Sequence, residues 1–205
     1  MKLYDVADSG NCYKIRLMSA LLGLDCQCQP ISLEKAEHKT PEFLAMNPRG
    51  QVPVLVDDAI TLWDSHAILI YLAGKKDNKT DTKSWWSNDI TDQADITQWL
   101  SFSAREMWAG CAVARATVKF KRPFDLNAAQ KIAYAALDIL ERHLSDHEWL
   151  ALDRPTIADI AVYPYAGLVW EGGISLAPYP AMRRWFNRIE ALPGYVPMSG
   201  LPAPE

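Results

Sequence analysis

The chain has 205 residues, 49% of them apolar and 22% charged, the balance of a globular protein of one large or two modest domains and not of a disordered or fibrous one. A formal charge of −4 offers no concentrated basic face, which argues against nucleic acid and membrane as partners, because both are held by neutralising phosphates or headgroups. No run of eighteen apolar residues predicts a membrane-spanning helix, and Asp5 and Asp8 break the apolar core that a secretory signal would need.

In chain order, Lys2 to Val6 predicts a short strand. Asn11 to Leu22 places Ile15, Met18, Leu21 and Leu22 on one helical face, and Gly23 ends that helix. Cys26 to Ile31 alternates Cys and Gln before Pro30, which predicts a strand with one buried face near a sheet edge. Cys26 and Cys28 would share that face with Cα atoms ~6.6 Å apart, near the upper limit for a disulfide. With neither a CxxC pair nor dense cysteine spacing in the chain, reduced thiols in the cytoplasm are expected. Val52 to Val56, the turn Asp57-Asp58 and Ile60 to Trp63 predict a hairpin, and Ser65 to about Lys75 an apolar helix.

Residues 75–83, KKDNKTDTK, are charged and lack apolar anchors. A boundary placed there leaves a mixed α/β domain over residues 1–76, a linker over 77–84 and an all-helical domain over 85–205. Helices are predicted over Trp85 to Lys119, Leu126 to Leu144, Thr156 to Trp170 and Pro180 to Leu192. His143 and His147 have i, i+4 spacing but no third ligand nearby, so they read as a solvated helix end and no metal is expected.

Three segments carry a resemblance. Asn47-Pro48-Arg49-Gly50-Gln51-Val52-Pro53-Val54-Leu55, with Asp64-Ser65 heading the next helix, resembles the glutathione-site pattern of the cytosolic glutathione S-transferases. SGNCYKIRL from Ser9 and Thr156-Ile157-Ala158-Asp159 resemble the same family, and the element order agrees over essentially the whole chain. The resemblance, closest to serine-type bacterial members, implies a thioredoxin-like first domain, an all-helical second domain, glutathione as co-substrate without a metal, usually a homodimer, and a detoxifying role.

Glutathione carries two carboxylates, an ammonium, a thiol and two peptide groups, and each needs an answer. A cis bond between Val52 and Pro53 would free the Val52 backbone to pair with the cysteinyl residue, although Val-Pro also suits the plain start of a strand. Ser65 at a helix start would meet the γ-glutamyl carboxylate and Asp64 the ammonium, in a position where family members more often have Glu; the simpler alternative is an N-cap. The glycine carboxylate needs a cation, and the segment Glu37 to Phe43 resembles the family's source of one, so His38 or Lys39 is expected there unless the segment is an ordinary surface loop. Gln51 is a further candidate.

A free thiol, with a pKa near ~8.5, needs a donor to stabilise its anion. Ser9 falls where serine-type members place that hydroxyl, Asn11 is a rival through its amide, and Tyr4 within the first strand is a weaker choice. Cys12 at a helix start would instead give thiol transfer, unless it merely packs. An electrophile pocket is placed along the first long helix at Met107, Trp108, Cys111 and Arg115, closed by Trp170, against the alternative that Met107 and Trp108 pack the core. Thr156 and Asp159 form a capping box whose role is folding. The expected function is conjugation of glutathione to hydrophobic electrophiles, with peroxide or disulfide reduction as side or main activity; the alternative is a non-catalytic ligand-binding protein on the same fold. A thioredoxin-type reductase would need the missing CxxC.

Overall fold

Leu3 and Asp5 of strand β1 (Lys2–Asp5) point inward while Lys2 faces water, the alternation of a strand with one covered face. In this computed structural model, which describes residues 1–76 and 84–203, β1 lies inside a four-stranded sheet of order β2-β1-β3-β4. Strand β2 (Gln27–Pro30) runs parallel to β1, β3 (Val54–Asp57) antiparallel to β1, and β4 (Ile60–Trp63) antiparallel to β3. The hairpin closes at Asp58 and Ala59, with Asp58 at φ +49°, a left-handed conformation that aspartate tolerates in tight turns. Strand β3 begins two residues later than expected, so Val52 and Pro53 lie outside its ladder. The buried face expected for β2 is absent: all four residues are exposed in this edge strand. Cys26 and Cys28 are free thiols.

Helix α1 (Gly10–Leu21) is capped by Ser9, α2 (Pro41–Met46) by Thr40, and α3 (Ser65–Lys76) buries Ile68, Leu69, Leu72 and Ala73. The linker expected over residues 77–84 lies, except for Ser84, outside the described residues. Beyond it the chain is helical, and Trp85 to Lys119 is not the single helix that periodicity predicts. Asp89 accepts the amides of Thr91 and Asp92 and starts α4 only at Ile90 (Ile90–Phe102). A π-helical stretch follows over Ser103–Ala112, and α5 (Val113–Lys119) completes the run. Helices α6 (Leu126–Asp146), α7 (Ile157–Gly167) and α8 (Pro180–Glu190) follow.

Helix α7 is buried at every residue and packs against α1, α3 and α4, so one apolar core runs from under the sheet into the helical part. The capping box at its start is formed: the Ala158 amide donates to Thr156 Oγ1 at 3.2 Å, and the Thr156 amide donates to Asp159 Oδ2 at 2.9 Å. The helix stops at Gly167, short of the predicted Trp170, which lies in a separate 3₁₀ turn, Val169–Gly172. Among the described residues no helix is long and apolar enough to cross a membrane, and no cluster of three or more His, Cys, Asp or Glu could hold a metal ion.

Candidate functional site

Two adjoining cavities open where the sheet part meets the helical part. The smaller, about 270 Å³, is walled by the 47–53 loop, the start of α3 and the π-helical stretch. The larger, about 780 Å³, lies between the β1–α1 turn and α5 and has apolar walls that include Ile31, Leu33, Phe120 and Phe124. Val52, Trp108 and Tyr165 line both.

The 47–53 loop is shaped by Asn47, which is buried. Its side-chain amide donates to the Gln51 carbonyl at 2.7 Å and its Oδ1 accepts the Arg49 amide at 3.0 Å. Gly50 sits at φ +57°, where an added Cβ would fall 2.8 Å from the His38 carbonyl oxygen. The loop therefore turns tightly and delivers Gln51, Val52 and Pro53 to the smaller cavity; the Val52–Pro53 peptide bond is cis.

Across the cavity, α3 is capped by Asp64 and not by Ser65. Asp64 Oδ1 accepts the amides of His66 at 2.9 Å and Ala67 at 3.4 Å, while Oδ2 lies 3.7 Å from Arg49 Nη1. Asp64 has φ +79°, a left-handed conformation that costs a non-glycine residue of order 1 kcal/mol or more and that tends to concentrate at functional sites. Ser65 is buried and forms part of the same wall.

The two candidate thiol-activating groups fall on different cavities: Ser9 lines the larger one and Asn11 the smaller. Ser9 Oγ accepts the Cys12 amide at 3.3 Å as the cap of α1, which leaves its own proton available to donate. Gly10 lets α7 approach, since a Cβ there would come within 2.9 Å of the Tyr165 ring. Cys12 is fully buried, lines neither cavity, and burial pushes its thiol up to about 12, so it is a packing residue. Tyr4 packs edge-on against Phe43 and also lines neither cavity.

His38 and Lys39 sit behind the 47–53 loop and not in the cavity wall. Lys39 Nζ donates to the carbonyls of Gly50 at 2.9 Å and Arg49 at 3.3 Å, so its charge braces the loop. His38 Nδ1 is buried without a hydrogen-bond partner, and burial, then the charge of Lys39, lowers the imidazole. The cation that lines the cavity from this loop is Arg49.

On the helical side two of the four expected residues, Trp108 and Arg115, line a cavity and two do not. Met107 and Cys111 are fully buried in the core and line neither cavity, whereas Ala104 and Trp108 line the smaller cavity and Trp108, Ala112 and Arg115 the larger. The π-helical winding of this stretch departs from the α-helical spacing assumed in the sequence reading. Arg115 is buried, with Nε 2.5 Å from Glu171 Oε2 and Nη1 donating to the Asp8 carbonyl at 2.7 Å. Trp170 closes neither cavity; its indole donates to the Gly200 carbonyl at 3.2 Å.

Sequence reasoning missed Lys14, His66, Ser103 and Tyr165, all in the smaller cavity's wall. Lys14 Nζ lies 3.3 Å from Ser103 Oγ and 3.4 Å from His66 Nε2, and 5.4 Å from the centre of the Tyr165 ring. Burial pushes the Tyr165 hydroxyl up to about 12. One signal was readable: Lys14 stands one turn before Met18, so a lysine occupies the apolar face of α1.

The family model of the glutathione S-transferase N-terminal domain matches residues 1–74, and that of the glutathione S-transferase C-terminal domain matches residues 105–193. A crystal structure of a glutathione S-transferase from Pseudomonas fluorescens is 35% identical, with a TM-score of 0.87, and the match covers 96% of this chain and 98% of that one. A structure of Ure2p in complex with glutathione shares the fold at a TM-score of 0.82 and 24% identity, over 94% of this chain and 90% of that one. The transcriptional regulator URE2 of Saccharomyces cerevisiae is 25% identical over 95% of this chain and 66% of its own length. The chain thus spans about two thirds of the length of the curated relatives it matches.

Proposed function

We propose, from the premise that this chain belongs to the glutathione S-transferase family, that it holds glutathione in the smaller cavity and joins its sulfur to a hydrophobic electrophile seated in the larger one. The observation that carries this reading is the shared wall of Val52, Trp108 and Tyr165, with Ser9 on one side and Asn11 on the other. A tripeptide paired to the Val52 backbone would have its sulfur at that junction.

Ser65 at the start of α3 receives the γ-glutamyl carboxylate, Asp64 faces the ammonium, and Gln51, on the loop braced by Lys39, receives the glycine end. Ser9 Oγ–H or the Asn11 amide donates to the sulfur and stabilises the thiolate without losing its own proton. The thiolate attacks the electrophilic carbon, a sulfur–carbon bond forms, and the displaced group leaves with the electron pair. With an organic hydroperoxide the same thiolate attacks the terminal oxygen, the O–O bond breaks and the alkoxide leaves as the alcohol, and a second glutathione converts the resulting sulfenic acid to glutathione disulfide and water, which is a peroxidase side activity. The apolar lining of the larger cavity favours hydrophobic partners. Calorimetric titration with glutathione, followed by assays with a chloronitrobenzene and an organic hydroperoxide, tests the reading. Binding with turnover is expected, and no binding at millimolar glutathione overturns it.

A second reading, a glutathione-binding regulator without turnover, is favoured by one observation: a transcriptional regulator aligns over 95% of this chain. Tight binding with no conjugation or peroxide reduction would select it. Either reading divides the chain into a glutathione-holding domain over residues 1–76 and a helical domain over 85–205. Both include a homodimer, for which the apolar exposure of Ile60 and Trp63 on edge strand β4 and of Ile70 on α3 offers a surface. Both also place the chain in the cytoplasm, in keeping with four unpaired cysteines.

A further inference from the structure

Lys14 is only 1% exposed, yet it lines the smaller cavity. Among the described residues its ammonium has no carboxylate within ion-pair distance. Its close neighbours are the Ser103 hydroxyl, whose proton goes to the Ala161 carbonyl at 2.7 Å, and the His66 imidazole, which lies 3.1 Å from the same hydroxyl. Asp64 acts on Lys14 from the α3 cap, but its carboxylate already accepts two helix amides and faces Arg49.

Taking an ammonium out of water without a counter-ion costs several kcal/mol, and such a group normally finds a partner or gives up its proton. Burial lowers Lys14 to about 7, with Asp64 opposing weakly, so in the free chain it is about half charged at neutral pH. The cluster thus presents a cation-forming group beside an open cavity and next to the first turn of α3.

We propose that Lys14 is a ligand-binding residue whose ammonium is the counter-ion for the α-carboxylate of the γ-glutamyl group, so that binding carries a proton onto Lys14. The inference rests on the reading that this cavity takes glutathione. It adds that the site is incomplete until a carboxylate enters, and that affinity falls as pH rises above the free-state value of Lys14. No other group facing Lys14 accounts for the proton. His66 on α3 is pushed down to about 3 by burial and by Lys14 itself, and Tyr165 on α7 is up near 12, so both stay neutral between pH 6 and 8. Ser103 from the π-helical stretch does not ionise, and the remaining charged groups in the lining are Arg49 and Asp64.

The test is calorimetry with S-methylglutathione, which has no thiol proton to release, in two buffers of different ionisation enthalpy. The intact chain is expected to take up about 0.9 proton per ligand at pH 8 and about 0.1 at pH 6. Lys14→Met is expected to bind roughly 30-fold more weakly at pH 6 and to take up no proton at pH 8. A second arm needs no variant: the S-methyl tripeptide in which 4-aminobutyrate replaces the γ-glutamyl residue lacks the α-carboxylate and should bind the unmodified chain weakly, without proton uptake. Binding of S-methylglutathione at pH 8 without proton uptake, or equal uptake by the 4-aminobutyryl analogue, overturns the role of Lys14 and leaves the glutathione reading standing. Failure of the intact chain to bind S-methylglutathione at either pH overturns both.

Discussion

Trp185 donates its indole N–H to Asp159 Oδ1 across 2.9 Å, joining α8 to the first turn of α7 inside the core. The same carboxylate accepts the amides of Leu150 at 3.0 Å and Thr156 at 2.9 Å and the Thr156 hydroxyl at 3.4 Å, so one side chain satisfies three buried N–H donors from three segments and a hydroxyl besides. Replacing Asp159 with Ala strands all three, and each buried donor left unpaired costs of order 1 kcal/mol or more. Asp159→Ala is expected to lose about 3 kcal/mol in urea unfolding, more than an exposed cap would cost. Unchanged midpoints would remove this account.

Asp159 also predicts a pH dependence. Burial raises its carboxyl to about 6 in spite of the donors around it, above the ordinary aspartate value. The folded state therefore holds this proton more tightly than the unfolded chain. The resulting stabilisation is fully present below about pH 4 and is lost as pH rises to about 6. Asp159→Asn cannot titrate, so its deficit relative to the unmodified chain should be larger at pH 4 than at pH 7, by about 3 kcal/mol at most. Equal deficits at the two pH values would mean that the carboxylate is ionised throughout.

The thiols make a simple contrast. Cys12 and Cys111 are fully buried with values pushed up to about 12, whereas Cys28 is exposed on β2. Iodoacetamide on the native chain at pH 8 should modify Cys28 well before either buried thiol, as mass spectrometry of the peptides would show. Cys12→Ala should leave glutathione turnover within about twofold while costing stability through the lost packing. Rapid labelling of Cys12, or loss of turnover in Cys12→Ala, would revive a thiol-transfer role for it.

Much of this arrangement is local and was legible in the sequence. The β-α-β-β-α order, apart from the unforeseen α2, the β3–β4 hairpin, whose turn lies one residue later than Asp57-Asp58, and the Thr156–Asp159 box are each set by residues within a few positions of one another. The wall of the smaller cavity was legible where one motif carries it, as in Gln51, Val52 and Ser65. It was not legible where side chains meet across the fold: Lys14 reaches His66 over 52 residues and Ser103 over 89. Tyr165 was hidden because α7 is buried on every side, so periodicity marks no face of it. Met107 and Cys111 were misplaced because both faces of this stretch are apolar, Met107 and Cys111 on the core side and Ala104, Trp108 and Ala112 on the cavity side, so the pattern does not say which face is open.

Ser9 and Asn11 should separate kinetically. If Ser9 supplies the donor to sulfur, Ser9→Ala lowers kcat for conjugation by roughly 10²-fold with little change in KM for glutathione, while Asn11→Ala changes it by less. The reverse order assigns the role to the amide of Asn11, which lines the smaller cavity. Two unaffected variants would remove both and assign the donor to another group at the junction of the two cavities.

The position of Ser9 itself depends on a contact from the other part of the chain. Arg115 Nη1 donates to the Asp8 carbonyl at 2.7 Å, and Glu171 holds the guanidinium from behind while pairing with Lys119 at 2.7 Å. Arg115 thus ties the residue before Ser9 to α5. Arg115→Met keeps much of the apolar stem but releases the Asp8 carbonyl and leaves the buried Glu171 with Lys119 alone. Breaking a buried pair from one side costs about 3 kcal/mol, so a lower melting temperature is expected. Because Arg115 lies outside the wall of the smaller cavity, the affinity for S-methylglutathione should change by less than about threefold, whereas kcat should fall about tenfold as the Ser9 hydroxyl loses its fixed position. Lys119→Met removes the pair to Glu171 and the 3.4 Å pair to the half-exposed Asp8 carboxylate but leaves the Asp8 carbonyl held by Arg115, and it should leave kcat unchanged. If Lys119→Met lowers kcat as far as Arg115→Met does, the effect is general destabilisation and Arg115 does not position Ser9.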